Sequence, residues 1–161
     1  MKVLFIIPWM KSLFGDEYVP PGHPHIGIAY LSAVLKKAEH DVKIFDQGIE
    51  KDDSKLFQMI NNYKPDLIGI TAFSYCYKYV NKLIDDLKKK TKIPIVIGGP
   101  HAAAVKKDIL KKTKADFAFK GEGELVFPNF LNKFENMEFE KVDGLIWRNN
   151  DETIIENRDA S

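Results

Sequence analysis

Pro65-Asp66-Leu67-Ile68-Gly69-Ile70-Thr71 is a short apolar run behind a proline, and the polar-aromatic loop Ala72-Phe73-Ser74-Tyr75-Cys76 follows it. A strand buried on both faces of a parallel sheet shows a near-continuous apolar run instead of strict alternation. Pro65–Thr71 therefore reads as a central parallel strand. Three other runs have the same character: Val3-Leu4-Phe5-Ile6-Ile7, Ile95-Val96-Ile97-Gly98 and Asp116-Phe117-Ala118-Phe119. Each ends in a loop rich in Gly, Pro, His or Ser. In an open parallel sheet, ligands bind at the carboxyl ends of the strands where strand order reverses. The loop after Thr71 is expected at that reversal.

Around these strands the sequence places helices at Ile26–Ala38, Ser54–Tyr63 with Ser54 as N-cap, Lys78–Lys90, Val105–Lys112 and Leu125–Phe134. Their apolar residues recur at helical spacing, as in Ile28, Leu31, Val34, Leu35 and Ala38. Asp41–Asp46 adds a further strand. The tail changes character: Leu145-Ile146-Trp147-Arg148 and Thr153-Ile154-Ile155 flank Asn149-Asn150-Asp151-Glu152, which reads as a hairpin. The expected fold is α/β, a Rossmann-like doubly wound parallel five-stranded sheet of order 2-1-3-4-5 with a C-terminal β-hairpin. Residues 1–141 form the domain proper. Residues 142–161 form the hairpin and a linker, expected to lie beyond the main core and to be its most mobile part.

Composition bounds the function. The 161 residues suit one domain, 45% hydrophobic and 29% charged, with 24 basic against 23 acidic residues and a net charge of +1. That balance argues against a dedicated nucleic-acid or membrane-surface binder. No apolar stretch approaches the ~18 residues of a membrane span. The single cysteine, Cys76, forbids an internal disulfide and suits a reducing cytoplasm. It reads as a small apolar filler before a nucleophile.

The loops after strands one, three, four and five supply backbone freed of side chains, at Gly98, Gly99, Gly121 and Gly123, and flat or small contact surface, at Trp9, Ser74, Tyr75, Ala102 and Ala103. Glycine lets a large flat ligand touch the main chain. Gly27, in the first turn of a helix, either admits a ligand or serves helix packing. The loop from Trp9 to about Pro24 is long enough to be functional. Gly121-Glu122-Gly123 fails the longer dinucleotide pattern, and no lysine-terminated phosphate loop exists. Glu122 and Glu124 read as helix-capping carboxylates or as acid-base groups. His23, His25 and His101 are not spaced as a metal site.

These pieces resemble the amino-terminal cobalamin-binding domain of B12-dependent radical-SAM enzymes, of the anaerobic magnesium-protoporphyrin IX monomethyl ester cyclase and methyltransferase type. The resemblance rests on Val3-Leu4-Phe5-Ile6-Ile7-Pro8, on residues 24–35, on Pro65–Thr71, and on Val142-Asp143-Gly144-Leu145-Ile146-Trp147-Arg148. Its most specific pieces are Ile97-Gly98-Gly99-Pro100-His101 and Lys120-Gly121-Glu122-Gly123-Glu124. It covers nearly the whole chain. It implies cobalamin across the strand ends, against Trp9, Gly27, Thr71, Ser74, Tyr75, Gly98, Gly99, Pro100, His101, Gly121 and Glu122, with its nucleotide tail beside the central strand where Gly69 leaves room. Leucine at Gly99 or Gly121 is then expected to block binding and leave the fold cooperative.

The family's 4Fe-4S cluster and S-adenosylmethionine belong to a downstream radical-SAM domain. With Cys76 alone this chain builds no cluster and is expected to be non-catalytic by itself. No histidine has aspartate two residues before it and glycine three after, so cobalamin is expected base-off, without a protein histidine on cobalt; His23 or His25 could swing in. The function this implies is a cobalamin-binding module for methyl transfer or a related radical rearrangement or cyclisation. Two alternatives stay open: a non-catalytic α/β module that binds substrate or a partner without cobalamin, and a flavin binder. An open crevice floored by small residues favours cobalamin; one filled by Trp9, Phe73 and Tyr75 favours the non-catalytic module.

Overall fold

The computed structural model describes residues 1–9 and 25–160. Expectations for the long loop, including His23, lie outside them. The parallel strands are β1 (Lys2–Ile7), β2 (Asp41–Asp46), β3 (Leu67–Thr71), β4 (Ile95–Gly98) and β5 (Phe117–Phe119), followed by the antiparallel β6 (Leu145–Arg148) and β7 (Ile154–Glu156). They form one seven-stranded sheet of order β2-β1-β3-β4-β5-β6-β7. The expected order 2-1-3-4-5 holds, and strand order reverses between β1 and β3. The hairpin extends the sheet instead of lying beyond the core. Its first strand pairs with β5, and both Leu145 and Ile146 are fully buried, one on each face. A strand with apolar residues on both faces is an interior strand, which explains why β6 enters the sheet.

Among the described residues six α-helices cover the two faces: α1 (Ile26–Lys37), α2 (Asp53–Tyr63), α3 (Tyr77–Lys90), α4 (Pro100–Val105), α5 (Asp108–Lys112) and α6 (Gly123–Phe134). Strand residues alternate between two cores. Leu4, Ile6, Ile68, Ile70, Ile95 and Ile97 pack with α2 to α5. Val3, Phe5, Leu67, Val96, Phe117 and Phe119 pack with α1 and α6. The second core is rich in edge-on aromatic pairs, among them Phe5–Phe127 at 5.3 Å and Phe119–Phe127 at 5.1 Å between ring centroids.

Two local expectations change. The N-cap of α2 is Asp52, whose Oδ1 accepts from the Ser54 amide at 2.8 Å. Asp and Ser are equally good caps, so the run Asp52-Asp53-Ser54 left the start ambiguous. The expected helix Val105–Lys112 is two helices, α4 and α5. Pro100 opens α4, where its missing N–H costs nothing. Lys106, at φ 51°, ends α4 and keeps the two helices apart.

Candidate functional site

The carboxyl ends of β1, β3, β4 and β5 face a cavity of about 500 Å³ between the sheet, α1 and α6. That is the size range of small-molecule sites. Its floor is the strand interior: Phe5 on β1, Gly69 on β3 and Val96 on β4 are register neighbours. Leu31 from α1, Phe119 from β5 and Phe127 from α6 wall it. Two residues further along the strands, Thr71 and Gly98 are again register partners and stand nearer the mouth. The mouth is edged by His25, Gly27, Phe73, Gly99, Gly121, Glu122 and Glu124, none of them buried.

The glycines divide by role. A side chain at Gly98 or Gly121 would meet nothing within 4 Å, so their bare backbone is not required by protein packing. It leaves open space at the cavity edge, the kind of cradle a flat ligand needs. Gly27 has only ordinary contact with the His25 ring, 3.8 Å away, and likewise leaves room. Gly99 is different. Its φ is +92°, and an added Cβ would stand 2.7 Å from Thr71 Oγ1 and 2.9 Å from the Ala72 carbonyl oxygen. Gly69 differs again, because the Phe5 ring occupies the room expected for a ligand, 2.6 Å from where its Cβ would be. The glycine lets Phe5 lie across the sheet and floor the cavity.

Of the expected site residues, Gly27, Thr71, Gly98, Gly99, Pro100, Gly121 and Glu122 line this cavity. Trp9, Ser74, Tyr75 and His101 do not. Trp9 donates its backbone N–H to Gln47 Oε1 at 3.2 Å. Ser74 Oγ and His101 Nδ1 are 3.0 Å apart and exposed. Tyr75 stacks on Phe73 with centroids 5.5 Å apart. Trp9 and Tyr75 therefore do not fill the crevice, but Phe73 lines it and its floor is built of the larger Phe5, Val96 and Phe127, so the condition set for cobalamin is met only in part.

Sequence reasoning missed the floor, and it missed the double part played by His25. This residue caps α1, with Nδ1 accepting from the Ile28 amide at 3.4 Å. Nε2 therefore carries the ring proton, and it is buried with no hydrogen-bond partner. Burial pushes the His25 pKa down, which keeps the ring neutral. An unpartnered donor at the cavity mouth suits an acceptor on a ligand.

Cys76 is fully buried, donates to the Phe73 carbonyl oxygen at 3.4 Å, and has its thiol pushed up by burial. It packs as a small apolar side chain. Among the described residues no group of three or more His, Cys, Asp or Glu side chains is arranged to hold a metal ion, and no helix is long and apolar enough to cross a membrane.

Residues 17–131 match the B12 binding domain family. The chain belongs to that family. An uncharacterized methyltransferase of Pyrococcus horikoshii is 30% identical over 157 residues, 93% of this chain and 33% of that protein. The anaerobic magnesium-protoporphyrin IX monomethyl ester cyclase of Synechocystis is 30% identical over 165 residues, 97% of this chain and 32% of that protein. The chain thus spans a third or less of the length of the curated relatives it matches. Among solved structures, the radical S-adenosylmethionine methyltransferase TsrM from Kitasatospora setae, with cobalamin and a 4Fe-4S cluster bound, superposes with a TM-score of 0.82 at 19% identity over 99% of this chain and 29% of that one. The cobalamin-dependent S-adenosylmethionine radical enzyme OxsB, with aqua-cobalamin and S-adenosylmethionine bound, gives 0.75 at 14% identity over 99% and 22%. The resemblance read from the Gly-Gly-Pro-His and Gly-Glu-Gly-Glu pieces is borne out.

Proposed function

We propose that this B12 binding domain holds cobalamin at the carboxyl edge of its sheet and presents it to a radical-SAM partner domain, for methyl transfer or a related rearrangement or cyclisation. The observation that carries this reading is the glycine-edged cavity at the strand-order reversal, open at Gly98 and Gly121 where no protein atom needs the space. In this reading the nucleotide end enters the cavity between α1 and α6. Gly27, Thr71, Gly98, Gly99, Pro100, Gly121 and Glu122, which line the cavity, would hold the corrin at its mouth. Trp9, Ser74, Tyr75 and His101 belong to the wider rim. Residues 1–141 carry the site, and residues 142–161 lead toward the partner domain, which supplies the 4Fe-4S cluster and S-adenosylmethionine.

Cobalamin, when bound, supplies a cobalt centre that carries a methyl group or an electron. The chain's own residues bind and orient. The apolar floor excludes water, and the His25 Nε2–H offers a neutral donor. We propose that the cofactor is bound base-off with no protein histidine on cobalt. His25 Nδ1 accepts from the Ile28 amide, so its Nε2 carries the ring proton and neither nitrogen of that ring has a free lone pair for cobalt, which supports this.

The test is retention of hydroxocobalamin by the chain through gel filtration at micromolar protein. After reduction to Co(II), the electron paramagnetic resonance spectrum should lack nitrogen superhyperfine splitting from a protein histidine. Loss of all cobalamin on the column would refute the reading. Splitting abolished by His25→Ala would refute only the ligand assignment.

A further inference from the structure

The floor of the cavity differs chemically from its mouth. Among the described residues, every buried side chain that lines it is hydrocarbon except Thr71, which stands at the carboxyl end of β3 beside Gly98. Phe5 and Val96 are 1% exposed, Phe127 2% and Phe119 3%. The other polar side chains, His25, Glu122 and Glu124, belong to the partly or fully exposed rim. The floor's main-chain groups lie inside the β1–β3–β4 ladder, where strand pairing uses them. Whatever occupies the deep end meets aromatic and aliphatic carbon and finds no donor or acceptor among the side chains of the described residues there.

We propose that this floor makes the domain selective for the lower base of its cofactor: it takes cobamides carrying an apolar benzimidazole and discriminates against those carrying a purine. The inference rests on the reading that the nucleotide end enters the cavity. Dimethylbenzimidazole and adenine are fused bicyclic rings of similar outline, so shape alone separates them poorly. Polarity separates them. The benzimidazole turns a benzene ring and two methyl groups to the wall. Adenine adds an exocyclic amine and further ring nitrogens, all hydrogen-bonded in water, and the floor offers them no partner. A polar group buried unpaired loses its hydration without compensation, which corresponds to at least about a tenfold loss of affinity.

The experiment titrates the 161-residue chain with three probes, following the corrin absorbance: cobalamin, the adenine-bearing cobamide, and cobinamide, which has no nucleotide. Cobalamin should bind at least about tenfold tighter than the adenine form, with cobinamide also weaker than cobalamin. Equal or tighter binding of the adenine form overturns the selectivity and leaves cobalamin binding standing. Cobinamide binding as tightly as cobalamin overturns it too, because the nucleotide then gains nothing from the cavity. Binding of none of the three overturns the proposed function itself. Val96→Thr, nearly isosteric, places one hydroxyl in the floor. It should narrow the ratio between cobalamin and the adenine form while the chain still melts cooperatively. An unchanged ratio in a cooperatively folded variant removes the floor as the determinant.

Discussion

Gly99, just past the end of β4, backs directly onto Thr71 at the end of β3: a Cβ on Gly99 would stand 2.7 Å from Thr71 Oγ1, on a backbone already at φ +92°. The clash with the Ala72 carbonyl and amide, at 2.9 and 3.0 Å, is with main chain that cannot swing aside. Gly99→Ala should therefore destabilise the fold by about 2 kcal/mol or more. Equilibrium urea unfolding would register that loss with the slope unchanged. The expectation that leucine at Gly99 would spare the fold does not survive this geometry.

Gly121 is the clean probe of the site. Nothing lies within 4 Å of its would-be Cβ, and it edges the cavity. Gly121→Leu should leave the melting temperature within about 3 °C and weaken cobalamin binding at least about tenfold, because the side chain fills ligand space. Gly98→Val should behave alike. Spectrophotometric titration beside a thermal melt checks both, and a variant that binds as the parent does would remove these glycines from the ligand edge.

Much of this was legible because parallel strands announce themselves. Pro65–Thr71 and its three companions gave the sheet and, through the reversal rule, the site's edge. What the sequence concealed follows from the same burial. Phe5, Val96, Phe119 and Phe127 read as core, and they are core; only the gap between α1 and α6 turns their upper surfaces into a cavity floor. No spacing signal separates a core phenylalanine from a lining one. Gly69 did signal a close approach, but sequence cannot say that Phe5 takes the space. The hairpin was visible as two strands. Its place inside the sheet rested on Leu145 and Ile146 facing opposite ways, a two-sided pattern too short to weigh alone.

His25 predicts a pH response. Burial lowers its pKa below 6.5 in the folded chain. Below the ordinary value the unfolded state takes up the proton first, so stability is lost as pH falls from about 6.5 toward the lower folded value. His40 and His101 are lowered by burial as well and add slope in the same direction. Asn keeps an acceptor at the cap of α1 and does not titrate. His25→Asn should flatten, without abolishing, the loss of urea stability below pH 6.5. An unaltered slope would show that this ring does not couple folding to protons.

Lys120 governs the end of the chain. It leaves β5 just before the glycine edge of the cavity, and its side chain is only 5% exposed. Its ammonium reaches Asp159 at 2.9 Å and Glu156 at 3.2 Å and also donates to the Asn157 carbonyl oxygen. Burial alone would lower its pKa, but the two carboxylates together outweigh burial and raise it. The charge therefore stays on, and one cation ties the segment after β7 to the start of the Gly121-Glu122-Gly123 turn. Lys120→Met keeps the hydrocarbon stem and removes the charge. It should cost about 1–2 kcal/mol, less than a fully buried pair because Asp159 remains in water. The loss should be local. Hydrogen exchange should quicken at residues 154–160 while β6, held between β5 and β7 with Leu145 and Ile146 buried, stays as protected as β3. Exchange quickening equally in β6 would mean that the whole hairpin hangs on this lysine, and not on the apolar residues that place it in the sheet.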